Sequence, residues 1–163
     1  MKQRTRYRSH TCGELRATDG GKTVTLCGFF VKGRTEDGFD LRDRHGFTRI
    51  ALTPRSPADL RLKVRKLGPE DVVMIVGEVA MRVEADPTVP TGDVYVIPKT
   101  LAVISKADPL PPDIGPAADG DADLATRLKY RYLDLRRPVM QRRLAYRSKL
   151  TLEVRSYLAS QDF

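Results

Sequence analysis

From Thr23 onward, apolar and polar positions alternate with a period of two. Thr23-Val-Thr-Leu-Cys-Gly-Phe-Phe-Val31 is rich in β-branched and aromatic residues and predicts a first strand. Glu36-Asp-Gly38 signals a turn. Phe39-Asp-Leu-Arg-Asp43 then places Phe39 and Leu41 on one side of a second strand. Arg44-His-Gly46 is another tight turn, and Phe47-Thr-Arg-Ile-Ala-Leu52 predicts a third strand. The period changes at Ser56-Pro-Ala-Asp59, which has the form of a helix start with Ser56 as N-cap and Pro57 at the first helical position. Leu60, Val64 and Leu67 recur at helical spacing, and Gly68-Pro69 ends the helix. Residues 71–81 predict a long strand, with Gly77 marking a bend or bulge. After a Pro-containing loop from Glu84 to Thr91, residues 92–104 predict a closing strand interrupted by Pro98.

The order β-β-β-α-β-β predicts a mostly-β fold, a five-stranded OB-fold Greek-key barrel with one inter-strand helix, a scaffold used for oligonucleotides. Small barrels of other topology share parts of this pattern. Around the barrel (22–105) stand a basic N-terminal arm (1–21), a linker or hinge (106–126) and a helical segment (127–163). Residues 106–123 are rich in Pro, Asp, Ala and Gly, a stiff and solvated linker composition. After Pro138, Met140, Leu144, Thr151, Val154 and Leu158 lie near one helix face, and Arg142, Arg143, Arg147, Lys149 and Arg155 cover much of the rest. An apolar stripe of this kind needs a partner to bury it.

Charge narrows the class of partner. The chain carries a net +8 with a pI of about 9.7, and the linker, with one Lys and five Asp, divides two basic ends. Such a balance favours polyanions, because each neutralised phosphate releases a counterion. Arg4, Arg6, Arg8 and Arg16, interleaved with Tyr7 and His10, read either as a disordered tail or as an RNA-contacting arm.

Other chemistries find little support. Cys12 and Cys27 do not make a disulfide scaffold, and Cys27, inside an apolar run, is expected as a reduced core residue. No apolar run approaches the roughly 18 residues of a membrane span. The basic N-terminus lacks the apolar core of a signal peptide, so a cytoplasmic location is expected. Asp40 and Asp43, beside Arg42 and Arg44 on a tight hairpin, suit turn and ion-pair roles better than paired catalytic carboxylates. His10 and His45 have no companion ligands for a metal. With no Gly-rich phosphate loop and no nucleophile–base pair, the chain as given is not expected to be an enzyme.

One run goes further: Arg127-Leu-Lys-Tyr-Arg-Tyr-Leu-Asp-Leu-Arg-Arg-Pro138, followed by Met140-Gln141 and Arg147. Upstream, in order, stand Thr11-Cys-Gly-Glu-Leu15, Thr25-Leu-Cys-Gly28, Asp40-Leu-Arg-Asp-Arg44 with Gly46, Thr91-Gly92, and Ala107-Asp108 with Leu110-Pro111. In these motifs the chain resembles the bacterial-type aspartyl-tRNA synthetases of class IIb over nearly its whole length. The resemblance implies an anticodon-binding barrel, a hinge and the start of a class II catalytic domain. It implies tRNA or other RNA as partner. ATP and magnesium are implied for the parent enzyme, with none in this chain. The parent is implied to be homodimeric, through a motif that is incomplete by Phe163. The expectation is thus a chain truncated before its catalytic domain, binding RNA without a complete aminoacylation site.

For RNA contact the resemblance implies Arg34 in place of a hairpin arginine. A stacking Phe falls on Gly38 or, one residue shifted, on Phe39. A base-reading Gln falls on Arg49. Lys32 and Arg42 are assigned to the same basic face. The packing alternatives are Phe39 in the barrel core and Arg49 as an ordinary outward strand residue. Two other functions stay open: a standalone RNA- or single-strand-binding barrel, and a non-catalytic interaction module docking through its C-terminal helix.

Overall fold

β1 (Thr23–Lys32) serves two neighbours. From Thr23 to Phe29 it pairs antiparallel with β4 (Val72–Met81), and from Phe29 to Lys32 with β2 (Gly38–Asp43). β2 pairs antiparallel with β3 (Gly46–Ala51). β5 (Val94–Ser105) pairs with β4 and meets β3 in a parallel bridge between Ile50 and Val96. The sheet closes in the order β1-β2-β3-β5-β4, with α1 (Ala58–Arg65) between β3 and β4 in sequence, which is the OB topology expected. The computed structural model describes residues 5–32, 37–54, 56–111 and 122–163, the side chain of Lys32 excepted.

Alternation explains the core. Val24, Leu26 and Phe30 of β1 point inward with Phe39, Leu41, Ile50, Val73, Ile75, Val79, Val94 and Val96, all buried. Leu60 of α1 joins this cluster, with Val64 and Leu67 packed against it. Gly28 is required by closeness: a Cβ there would stand 2.5 Å from the Arg42 carbonyl oxygen. Gly77 sits at a register shift opposite Pro98, where the proline has no N–H to offer the ladder.

Three details differ from expectation. The helix starts one residue late: Pro57 is the N-cap, and the Ser56 hydroxyl instead accepts from the Thr53 N–H at 2.9 Å. Cys12 is the buried cysteine, whereas Cys27 faces outward on β1 and is half-buried. Burial, then the nearby Asp43 carboxylate, pushes the Cys12 thiol far up, so it packs as a neutral group. The N-terminal segment also packs. Ser9 N–H donates to the Thr25 carbonyl at 2.9 Å, Cys12 N–H to Asp43 Oδ2 at 2.9 Å, and Leu15 is fully buried.

Residues 1–109 and 110–163 form two separate units. Within the second, α2 (Leu124–Lys129) is capped by Asp123, which accepts from the Thr126 N–H at 3.0 Å. α3 (Arg131–Asp134) and α4 (Pro138–Ser160) follow, so the helical run breaks at Tyr130 and again at residues 135–137. A small core joins Ala122 and Leu133 to Leu110 and Tyr130. The Asp134 carboxylate, fully buried, gathers Arg127 at 3.2 Å, Arg131 at 2.7 Å and Arg137 at 3.4 Å. Burial pushes its pKa up, but these guanidiniums, Arg127 foremost, outweigh that and hold it below the usual carboxylate range. That clamp gives Arg127, Arg131 and Arg137 of the run 127–138 a common partner. No residue of α4 is buried, and among the described residues no helix is long and apolar enough to cross a membrane.

Candidate nucleic-acid interface

Strand register sets two rows of side chains on the outer face of β1, β2 and β3. Phe29 opposes Arg42, which opposes Phe47. Val31 opposes Asp40, which opposes Arg49. Inward neighbours Phe39, Leu41, Thr48 and Ile50 hold the strands from beneath.

In the first row Arg42 is a fixed element. Only 8% exposed, it donates from Nη2 to Glu70 Oε1 at 2.5 Å, and its guanidinium lies 5.5 Å from the Phe29 ring centroid. Glu70 precedes β4 in a left-handed conformation, φ 67°, with its N–H donating to the Phe30 carbonyl. At the row's end Phe47 is 40% exposed, a large ring open to solvent on an otherwise ordered strand. In the second row Arg49 Nη1 lies 3.3 Å from Asp40 Oδ1, both side chains part-exposed.

The β4–β5 connection folds over this end of the sheet. Asp86 accepts from the Thr88 N–H and hydroxyl, the Asp86 N–H donates to the Gly92 carbonyl, and the Thr91 hydroxyl donates to the Phe47 carbonyl at 2.5 Å. Between loop and strands lies an open cleft of about 460 Å³, lined by Asp40, Phe47, Arg49, Arg82, Asp86, Thr88, Val89 and Thr91. The Arg82 guanidinium makes no ion pair among the described residues. The hairpin beneath is held by Asp43, which accepts from the N–H groups of His45 at 2.7 Å and Gly46 at 3.2 Å. That is the turn role its sequence context suggests.

Of the residues singled out from sequence, Arg49 stands in this cleft. Phe39 is a core residue, 1% exposed, with its ring centroid 5.0 Å from that of Phe30, so it supports the sheet and presents no ring face to solvent. Arg42 is buried against Glu70 and orders the face from within. Arg34 and the side chain of Lys32 lie outside the described residues. Sequence reasoning passed over Phe47, Arg82 and Thr91. Phe47 was legible: it shares the outward parity of Arg49 on the same strand. Arg82 and Thr91 flank a loop, where no period signals direction.

Among the described residues, no group of three His, Cys, Asp or Glu could hold a metal ion.

The chain is similar to known proteins over most of its length. The family described as tRNA synthetases class II (D, K and N) matches residues 123–163. The aspartate–tRNA ligase of Phocaeicola vulgatus is 42% identical over 160 residues, covering 96% of this chain and 27% of that protein. The aspartate–tRNA(Asp/Asn) ligase of Acidobacterium capsulatum is 40% identical over 165 residues, covering 98% and 27% respectively. Asparaginyl-tRNA synthetase from Pyrococcus horikoshii, solved with asparaginyl-adenylate, superposes with a TM-score of 0.77 at 25% identity, over 93% of this chain and 34% of that one.

Through sequence similarity along nearly the whole chain and the matched C-terminal segment, the chain is a relative of the class II tRNA synthetases of the D, K and N group. Within that group the chain belongs with the aspartate–tRNA ligases. It spans about a quarter of the length of the curated relatives it matches.

Proposed function

We propose that this chain is the tRNA-binding barrel and hinge of an aspartate–tRNA ligase, and that it receives the anticodon loop on the outer face of β1–β3 beneath the β4–β5 connection. The observation that carries the reading is the cleft of Phe47, Arg49 and Arg82 on a barrel of this family. Single-stranded RNA is held by ring faces and by hydrogen bonds to base edges, with cations following the phosphates, and this face offers all three. Arg49 gives the reading a specific character. A guanidinium only donates, so it cannot reproduce the two-way pairing of an amide. Arg34 and Lys32, near the β1–β2 turn, belong to the phosphate-following part of this proposal. Arg42 contributes by fixing the sheet that carries the cleft, and Phe39 by packing beneath it.

Equilibrium binding of the chain to aspartate tRNA, and to the same tRNA with an altered anticodon, tests this across a salt series. Anticodon-dependent binding is the expected result. Equal, salt-sensitive binding of both would reassign the surface to general RNA contact. Absence of binding would favour an interaction module working through α4.

A further inference from the structure

Two consecutive acidic residues, Glu70 and Asp71, serve different partners from one bend of the backbone. Glu70 takes a left-handed conformation, φ 67°, which a residue with a side chain rarely adopts. Both are tied to the same strand residue. The Glu70 N–H donates to the Phe30 carbonyl at 3.1 Å, and the Phe30 N–H donates to the Asp71 carbonyl at 2.8 Å. Their carboxylates then part. Glu70 accepts from Arg42, which stands in register between Phe29 and Phe47 on the outer face of β1–β3. Asp71, 1% exposed, accepts from the Ala107 N–H at 2.8 Å, the Lys106 ammonium at 2.7 Å and the Gly68 N–H at 2.9 Å. The same ammonium donates to the Lys66 carbonyl at 2.7 Å. Lys106 and Ala107 are the first residues after β5, where the chain leaves the barrel.

These bonds form a continuous series from the outer face to the exit: Arg42, Glu70, Phe30, Asp71, Ala107. Its carboxylates are buried, so leaving any of their bonds unmade is costly, and a displaced Arg42 must carry Glu70 with it. Contiguous networks of this kind can carry energetic coupling between two places. We infer that Glu70 and Asp71 form a clamp that couples the Arg42 side of the outer face to the point where the chain leaves the barrel. A ligand settling on that face then changes how firmly residues 106 and 107 are held. That the ligand is RNA rests on the reading above; the clamp itself does not.

Amide hydrogen exchange of the full chain, followed residue by residue by NMR, tests this first without RNA. Asp71→Ala is expected to speed exchange at Ala107 and Gly68 by about tenfold or more, the worth of a hydrogen bond to a charged group. Glu70→Gln keeps the shape of the side chain and removes the charge that meets Arg42. It should speed exchange at Ala107 by about two- to thirtyfold relative to Leu26 and Ile50. Those two residues are fully buried in strands and report opening of the whole barrel. In Glu70→Gln, an Ala107 amide that is unchanged, or that moves only in step with Leu26 and Ile50, overturns the clamp. An anticodon stem-loop RNA added to the wild-type chain should then change exchange at Ala107, and in Asp71→Ala it should not. If the RNA binds and Ala107 does not respond, the clamp is overturned and the RNA-binding reading survives. If no RNA binds, that reading falls, and the Glu70→Gln result upholds or overturns the clamp by itself.

Discussion

Asp40 on β2 and Arg49 on β3 are direct cross-strand partners, and the Arg49 guanidinium lies 3.3 Å from the Asp40 carboxylate. On the proposed RNA face this pair is in tension. The carboxylate orders the guanidinium but also occupies it and repels the phosphates of an incoming strand.

The two members of that pair should therefore act with opposite sign. Asp40→Asn is expected to strengthen RNA binding several-fold at low salt. Arg49→Ala should weaken it and, if Arg49 meets a phosphate, reduce the salt slope by about one. Titrations at several salt concentrations check both. Two effects of the same sign would remove the pair from the binding face.

Glu70 and Arg42 test the frame rather than the contact. Both side chains are nearly inaccessible. Glu70→Ala leaves a buried guanidinium without its carboxylate and should cost about 3–5 kcal/mol, whereas replacing both members with apolar residues should cost less. Denaturant unfolding of the single and double variants measures the difference.

Gly28 faces a backbone that cannot move aside easily. Gly28→Ala would place its Cβ 2.5 Å from the Arg42 carbonyl oxygen, where β1 and β2 meet. A loss of about 1–3 kcal/mol is expected from the strand shift it forces, read as a lower unfolding midpoint in urea.

Acid should loosen the second unit through Asp134. Its pKa is lowered in the folded chain, so its contribution is fully present above the unfolded value near 3.8 and is lost as pH falls toward the folded value. Asp71 follows the same sign. Burial pushes its pKa up, but the ammonium of Lys106 at 2.7 Å and the N–H groups of Ala107 and Gly68 bring it below the usual range. Helical circular dichroism should decline below about pH 4. The Asp134→Asn variant, already weakened at neutral pH, should show a flatter acid response. An identical acid profile would mean that other carboxylates govern it.

Much of the barrel was legible because its core is written as alternation: Phe39, Leu41 and Ile50 point inward as their parity demands. The same parity settles Phe39 as packing and should have drawn attention to Phe47. What alternation cannot express is a contact made by loop or terminus. Thr91 reaches Phe47, and Cys12 reaches Asp43, through bonds spanning 44 and 31 residues, and neither has a local period. The run 127–138 was recognisable as a motif, yet the common partner of Arg127, Arg131 and Arg137, one buried carboxylate, emerges only when the chain turns at Tyr130 and again before Pro138.

Asp43 joins two parts of the chain that sequence keeps far apart. One oxygen holds the tight turn before Phe47, the other holds the backbone of Cys12, and the Thr48 hydroxyl returns a bond to the Cys12 carbonyl. The beginning of the chain is thus the lever arm of the hairpin that bears the cleft. Trimming past Ser9, or crowding that segment with a fused domain, would reach the proposed RNA face without touching any residue on it.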